Sequence, residues 1–326
     1  MAGTLVVATA LDGTLARSAL ELLGGARSLD AALGGGVAAA LIGHGLGLVE
    51  AAEILTRHGA TRVYRAAHPA LTAGQTDAVL AAVAGVVRRT APAVVLVAAD
   101  TVGRELAPRL AYRMRAGLLT ECVSLGADGE AIVATRQVYG GRAIATLAMS
   151  SRPVVISVKP RALDAAAADG TGTVEDVAVA IDEAALPTRV QEVVREQAER
   201  GLDDARIVVG GGRGLGGPEG FKIIAALADA LGGAVGASRP PADAGWVPIT
   251  WQIGQTGKTI RPALYIAVGI SGATQHVAGV SGARTIVAIN RDPEAPIFSL
   301  AHLGIVGDYR EIVPLLTARI AAQRGG

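Results

Sequence analysis

The chain of 326 residues is long enough for two domains of ordinary size, each with its own core. Hydrophobic residues make up 51% of it and aromatic residues only 3%, a mixture typical of helices packed closely on a sheet. The formal net charge is +1 and like charges form no long block, so neither nucleic-acid binding nor adhesion to a membrane surface has electrostatic support.

The first part of the chain alternates strand-like and helix-like segments. Strands are predicted at Leu5 to Ala10, Val37 to Gly43, Arg62 to Ala66 and Ala93 to Ala99, with amphipathic segments between them. Such alternation predicts a mostly parallel sheet with helices on both faces. The apolar runs last about five to ten residues, short of the ~20 that span a bilayer, and the first strand lacks the basic start of a signal peptide. We therefore expect neither membrane insertion nor secretion.

Beyond Leu118 the pattern changes to short strands separated by glycine turns. No helical period interrupts them up to Val158, which predicts an antiparallel extension of the sheet. Cys122, the only cysteine, lies in one of these strands and is expected to be a small buried side chain rather than a nucleophile. A single cysteine excludes an internal disulfide and predicts a reducing, cytoplasmic location.

A connector between two domains is predicted from about Lys159 to Asp204. The segment contains an Ala/Gly/Asp/Thr stretch and a charged run, and no long apolar strand interrupts it. Within it, Gln191 to Arg200 is a candidate for a short solvated helix. The predicted α/β domains are therefore residues 1–190, with the antiparallel extension, and residues 205–326.

The second domain opens with a strand, a glycine-rich turn and a helix. Arg206 to Val209 is the predicted strand, and the turn fits G-x-G-x-x-G through Gly212, Gly214 and Gly217. The apolar residues that follow fall on one helical face: Phe221, Ile224, Ala225, Ala228 and Leu231. This order is typical of a Rossmann-like dinucleotide site, where backbone N–H groups meet a pyrophosphate. A glycine-rich turn without a ligand is the alternative.

The residues after the second strand bear on which nucleotide is bound. An NAD site should have Asp or Glu there, but this chain has Ser238 and Arg239. Arginine at this place favours either the 2′-phosphate of NADP or another anionic group, such as the pyrophosphate or the reduced ring of FAD.

Two later motifs add candidate ligand-binding groups. In GQTGK, glycines flank Gln255 and Thr256, so the backbone can approach a flat ligand while an amide and a hydroxyl supply hydrogen bonds. In GISGATQH, Ser271 is predicted to cap a helix that starts at about Gly272 and has Gln275 and His276 in its first turn. His276 is either a buried core histidine or a ligand-binding group, and its position after a strand end favours the second.

Two further polar residues close strand-like runs. Asn290 ends TIVAIN and Asp308 ends GIVGD. Each has the chemistry to hold ribose or adenine edges, and each is equally suited to a turn or to the N-cap of a helix.

At these residues the sequence resembles the alpha subunit of electron-transfer flavoprotein. The shared motifs, in the family's order and spacing, are GGRGL, VGASR, DAGWVP, GQTGK, LYIAVGISGATQH, IVAIN, DPEAPIF and GIVGD. The likeness is specific over Arg206 to Pro314 and rests on general plan over residues 1–190. It implies that the first domain pairs with a beta subunit and that the second, Rossmann-like domain carries FAD.

The resemblance also implies a role for each matching residue. Arg213 and Ser238 would lie beside the phosphates or ribityl chain, and Arg239 over the isoalloxazine. The ring would be lined by two runs, Ile253, Gly254, Gln255 and Thr256, and Ser271, Gly272, Ala273, Thr274, Gln275 and His276. Thr256 would donate towards N5, and His276 would approach the O2 side. Asn290, Asp308 and Tyr309 would lie near the adenosine end. Neither a catalytic residue nor a metal site is predicted.

The function implied is that of an electron carrier rather than an enzyme. The chain would form a heterodimer with a beta subunit that holds AMP. It would accept electrons one at a time from flavoprotein dehydrogenases, such as the acyl-CoA dehydrogenases of fatty acid beta-oxidation, and pass them to a membrane quinone oxidoreductase or another acceptor. A bifurcating variant that draws on NADH stays open. The alternatives from the residues alone are an NADP-dependent oxidoreductase and a non-catalytic nucleotide-binding module.

Overall fold

The computed structural model describes residues 3–141, 143–192, 202 and 205–324. The chain divides into two compact units, Met1–Val194 and Arg195–Gly326. Each unit is built on its own sheet, of nine strands in the first and five in the second. The predicted two-domain α/β class is therefore confirmed. Among the described residues, no helix combines the length and the apolar character needed to cross a membrane.

The sheet of the first unit is mostly parallel. In space its strands follow the order β7-β6-β5-β8-β4-β1-β2-β3-β9. The strands are β1 (Thr4–Ala10), β2 (Val37–Gly43), β3 (Arg62–Ala67), β4 (Val94–Ala98), β5 (Gly117–Asp128), β6 (Ala131–Val138), β7 (Ala143–Met149), β8 (Val154–Val158) and β9 (Thr173–Asp176). The first four agree with the predicted strands to within one residue at each end.

Helices cover both faces of this sheet. They are α1 (Ser18–Leu33), α2 (Gly47–Arg57), α3 (Thr76–Thr90) and α4 (Thr101–Met114). In β4, Leu96 packs in the apolar layer that includes α1 and α2, whereas Val95 packs in the layer that includes α3 and α4. Because successive strand residues point to opposite faces, a strand covered on both sides must be apolar throughout. This accounts for the continuous apolar runs of the sequence.

The antiparallel extension is present but shorter than expected. Strand β6 pairs antiparallel with both β5 and β7. Strand β8, which was included in the extension, instead lies parallel between β5 and β4 with all five residues buried. The prediction for β8 was wrong because the apolar run VVISV is compatible with parallel and with antiparallel pairing. The connection that returns the chain across the sheet determines the direction of the strand.

Residues 159–192, expected to be part of a connector, pack with the first unit instead. Strand β9 pairs with β3, and Arg65 Nε lies 2.6 Å from Asp176 Oδ1. This strand has only four residues, and those at its ends are exposed, so its sequence has no apolar pattern that predicts a strand. The helix predicted over Gln191 to Arg200 lies almost wholly outside the described residues.

The second unit is a five-stranded parallel sheet in the order β11-β10-β12-β13-β14. Its strands are β10 (Ile207–Gly211), β11 (Ala234–Ala237), β12 (Leu264–Val268), β13 (Thr285–Asn290) and β14 (Leu303–Val306). Its helices are α5 (Pro218–Leu231), α6 (Arg239–Asp243), α7 (Thr274–Val280) and α8 (Tyr309–Arg324). The winding of the chain reverses between β10 and β12. Open sheets of this kind bind ligands at the carboxyl ends of the two strands where the winding reverses.

Candidate functional site

The loops that follow β10 and β12 lie directly against each other. Gly212 N donates to Val268 O at 2.9 Å, and Gly214 N donates to Gly269 O at 3.0 Å. A Cβ at Gly212 would lie 2.1 Å from Gly269 O, whereas a Cβ at Gly217 would meet nothing within 4 Å. Two of the three motif glycines are thus required for the close approach of the loops, which brings both strand ends to one place.

A cavity of about 1020 Å³ opens at these strand ends. Its volume suits a large small-molecule or cofactor site. It brings together most of the residues that the sequence singled out. Those in its wall are Arg213, Ser238, Arg239, Ile253, Gly254, Gln255, Thr256, Ser271, Ala273, Gln275, His276 and Asn290.

The other four candidates lie outside this cavity. Gly272 has φ of 89°, and a Cβ there would lie 2.4 Å from Ile297 N, so it packs against a neighbouring loop. Thr274 is exposed at the start of α7. Asp308 and Tyr309 line a second, smaller pocket of about 150 Å³, to which Arg213 and Asn290 also contribute.

Local structural roles are evident for three of the residues expected near adenosine. Asp308 Oδ1 accepts from Arg310 N at 2.9 Å and so caps α8. The Tyr309 ring is buried, and its hydroxyl donates to Leu215 O at 2.7 Å. Asn290 donates to Ile270 O at 3.0 Å and accepts from Asp292 N at 3.1 Å, which stabilises the turn after β13. Asn290 and Asp308 thus have the turn and N-cap roles that were the alternatives to ligand binding.

One wall of the cavity is the loop Gln252–Lys258. Its backbone is fixed because Ile253 N donates to Ala237 O at 2.8 Å and Gln255 N donates to Gln275 O at 2.7 Å. The buried Gln252 donates through Nε2 to Thr256 Oγ1 at 2.9 Å. Since the Thr256 oxygen accepts this bond, its own proton remains available to donate into the cavity. Sequence reasoning missed Gln252, although it lies only two residues before the GQTGK motif.

The helix after β12 begins later than predicted. Helix α7 starts at Thr274, and no side chain caps it, so Ser271 is not the cap. The left-handed conformation of Gly272 keeps that residue out of the helix, and Ser271 instead accepts through its backbone oxygen from Ile297 N at 3.0 Å. Gln275 and His276 do lie in the first turn, as expected.

His276 is buried and bonded on both sides. Its Nδ1 lies 3.0 Å from Ile253 O and its Nε2 lies 2.8 Å from the hydroxyl of Tyr265. A carbonyl only accepts, so Nδ1 carries the proton and Nε2 accepts from Tyr265. Burial lowers the pKa of His276 to about 4, which leaves the ring neutral at neutral pH. The expected contact of His276 with a flavin stays a prediction, because both ring nitrogens have protein partners in this structure.

The charged groups of the cavity favour an anionic ligand. Its lining includes three arginines, Arg213, Arg239 and Arg291, but only two carboxylates, Asp243 and Asp292. Arg239 Nε lies 3.0 Å from Asp243 Oδ2, and both side chains are largely exposed. Sequence reasoning missed Arg291, although it follows a strand end. Among the residues that the structure describes, no three His, Cys, Asp or Glu side chains form a group able to hold a metal ion.

Comparisons with known proteins identify the family of the chain. Residues 4–182 match the family model of the electron transfer flavoprotein domain, and residues 201–281 match that of the electron transfer flavoprotein FAD-binding domain. An electron transfer flavoprotein subunit alpha from Thermoanaerobacterium thermosaccharolyticum is 43% identical over 95% of this chain and 94% of its own length. Proteins of the same name from Mycobacterium leprae and Bacillus subtilis are 40% and 38% identical, covering 100% and 94% of this chain and 100% and 93% of their own lengths. The chain therefore belongs to the family of electron transfer flavoprotein alpha subunits, which are electron carriers rather than enzymes, and its second unit contains the match to the FAD-binding domain of that family.

Proposed function

We propose that the cavity at the ends of β10 and β12 is where this chain holds FAD. The observation that carries the proposal is the convergence of most of the predicted contact residues on one cavity at the reversal of the sheet. The cavity is large, it has an excess of arginine over carboxylate, and its walls offer hydroxyl and amide groups. These properties fit a long anionic dinucleotide. FAD supplies a ring that takes up and releases electrons singly.

The positions of the residues suggest which part of FAD each one would contact. Arg213 follows β10 and Ser238 follows β11, so both stand at strand ends, where a pyrophosphate is usually held. Arg213 has neither an ion pair nor a side-chain hydrogen bond with any described residue, which leaves its guanidinium available to a phosphate. Thr256, oriented by Gln252, would donate to the ring, and Arg239 would favour negative charge on it.

The pairing of Arg239 favours FAD over NADP. In an NADP site this arginine would bind the 2′-phosphate. Here the Asp243 carboxylate already lies 3.0 Å from Arg239 Nε, and it would repel a dianionic phosphate bound to that arginine. A flavin ring carries less charge and tolerates the carboxylate better.

We infer that the chain acts with a beta subunit, and that this subunit holds AMP. The proposed donors are flavoprotein dehydrogenases such as those of acyl-CoA in fatty acid beta-oxidation. The proposed acceptor is a membrane quinone oxidoreductase, and the proposed location is the cytoplasm. The motif resemblance over Arg206 to Pro314 and the full-length similarity to alpha subunits support this assignment.

The proposal is tested by returning FAD to the apoprotein of the chain purified with its beta subunit. Wild type is expected to bind about one FAD per chain. Arg213→Ala should weaken binding about tenfold, as expected for loss of one charged hydrogen bond. Arg88→Ala, which removes an exposed arginine from the first unit, is the matched control and should leave the affinity unchanged.

If wild type took up no FAD under any condition, the proposed function would be wrong. Equal affinities for wild type and Arg213→Ala would contradict only the role given to Arg213.

A further inference from the structure

Tyr265 places a hydroxyl in the middle of an apolar core. It is fully buried at 0% exposure, on the central strand β12. On the adjacent strand, a Cβ at Gly210 would lie 2.1 Å from the Tyr265 oxygen, so the absence of a side chain at Gly210 makes room for the hydroxyl. A buried hydroxyl is tolerated only when it is hydrogen-bonded. The bond that meets this need is the one to His276 Nε2 at 2.8 Å.

The direction of this bond follows from the other side of the ring. Ile253 O accepts from His276 Nδ1, so in the neutral ring Nε2 is unprotonated and Tyr265 must donate. If Nε2 were protonated, the two groups would each present a proton to the other unless the hydroxyl turned away. The hydroxyl has no other hydrogen-bond partner among the residues that the structure describes, so turning it would leave its proton unpaired in the core. The Ile253 carbonyl thus fixes the tautomer of His276, and Tyr265, as the donor to Nε2, favours the neutral state of the ring.

The same ring joins three parts of the cavity. Tyr265 belongs to the sheet, His276 to α7, and Ile253 to the loop Gln252–Lys258, which presents Thr256 to the ligand. If the imidazole turned, the Ile253 carbonyl would lose its donor, and the loop would lose one of the bonds that fix it.

We propose that Tyr265 is a positioning residue of the FAD site, which holds His276 as a neutral Nδ1–H imidazole so that the ring in turn supports the loop Gln252–Lys258. The proposal rests on the proposed function where FAD is concerned. The state of the ring itself is independent of whether FAD binds.

Five other charged groups line the cavity to which His276 contributes. They are Arg213, Arg239, Asp243, Arg291 and Asp292, which lie in the segments that follow β10, β11 and β13. Burial lowers the pKa of His276, and the bond to Ile253 O acts in the opposite direction. Tyr265 is thus the titratable group that contacts the ring directly.

The test first measures the protonation state of His276 and then the binding of FAD. The full chain with its beta subunit, stripped of FAD and labelled with 15N at its histidines, is titrated by NMR. The His276 signal is identified with a His276→Gln variant. Wild type is expected to show the neutral Nδ1–H tautomer at pH 7. A protonated ring or the Nε2–H tautomer in wild type would overturn the proposal without any variant.

The variant Tyr265→Phe removes only the hydroxyl oxygen. Loss of a donor to the neutral ring should raise the pKa of His276 by about half to one unit, the range that one hydrogen bond supports. It should also weaken FAD binding about two- to tenfold as the loop loosens. Tyr309→Phe is the matched control, since it removes another buried hydroxyl with one bond, and it should leave the His276 titration unchanged.

A His276 titration in Tyr265→Phe that matched wild type would contradict the proposal. Failure of wild type to bind FAD would instead contradict the proposed function and leave the titration result standing. If Tyr265→Phe does not fold, the tautomer and charge of His276 measured in wild type still support or overturn the proposal.

Discussion

The two units reverse the winding of their sheets in the same way but differ in what stands at the strand ends. In the first unit the reversal lies between β1 and β4, which are followed by Asp12 and Asp100. Asp100 caps α4 by accepting from Gly103 N at 2.8 Å, and a Cβ at Gly103 would lie 1.7 Å from Ala98 O. The helix there packs tightly on a strand end that carries negative charge. Such an end is unsuited to a phosphate.

The corresponding place in the second unit carries glycine, serine and arginine. The strand ends at β10 and β12 open into the cavity of about 1020 Å³. In the first unit, a cavity of about 750 Å³ lies at the opposite edge of the sheet, beside the first residues of β1 and β4. The comparison teaches that the sheet order provides a place for a ligand, whereas the residues after the strands decide whether one binds.

The largest effect is expected when the loops of the second unit are forced apart. Gly212→Ala would put a Cβ 2.1 Å from a backbone oxygen, and relief of such a contact costs about 3 kcal/mol. FAD affinity should fall about a hundredfold. Gly217→Ala, in the same turn but in open space, should change it less than threefold. Equal losses in the two variants, measured by FAD titration, would show that the close approach of the loops is not what forms the site.

The second prediction concerns the pH dependence of the unfolding free energy of the second unit, which contains the buried His276. The folded-state pKa of His276 is about 4, below its value of 6.5 in the unfolded chain, so the unfolded state binds more protons between these values. The contribution is complete above pH 6.5 and is lost as the pH falls towards 4. We expect the second unit to lose about 2 kcal/mol of unfolding free energy between pH 7 and pH 5.

Urea unfolding of the full chain at the two pH values measures this loss. It should be much smaller in His276→Gln, which has no group to titrate. The same loss in that variant would assign the pH dependence to other residues.

A smaller effect is expected on the potential of the flavin. Arg239→Ala should lower the first reduction potential by about 20 to 60 mV, a two- to tenfold change in a one-electron equilibrium, because a cation no longer favours the added negative charge. Asp243→Asn removes the partner of Arg239 and should shift the potential in the opposite direction. Redox titrations that moved the same way for both variants would contradict the role of Arg239.

The smallest effect is expected at Thr256. Thr256→Val keeps the shape of the side chain but loses its hydroxyl, and FAD affinity should fall about two- to fivefold. Gln252→Met should produce a similar loss, because Gln252 orients that hydroxyl. The double variant should lose little more than either single one. Fully additive losses in FAD titrations would indicate that the two residues act separately.

Much of the fold followed from local patterns, and what did not follow depended on long-range contacts. The strands β1, β2 and β4 were evident because each is an apolar run covered on both faces. Strand β8 has the same kind of run, but its direction depends on a return across the sheet. Strand β9 is short and largely exposed, and it exists because β3 offers it an edge.

The site shows the same division. Residues within motifs were found from the sequence, and most of them meet in the cavity. Ser271 fails as a cap because Gly272 takes a left-handed conformation, which the presence of a glycine permits but does not require. Tyr265 looked like an ordinary strand residue. Its bond to His276 depends on the space left by Gly210 on another strand, which no local pattern reveals.

The most direct test of the account is the visible spectrum of the chain, co-expressed with its beta subunit, during stepwise anaerobic reduction. The account predicts flavin bands from about one FAD per chain, reduced in two separate one-electron steps, and loss of these bands in Gly212→Ala but not in Gly217→Ala. A colourless protein that takes up no flavin, or a flavin retained equally by both variants, would contradict the assignment of FAD to the strand ends of the second unit.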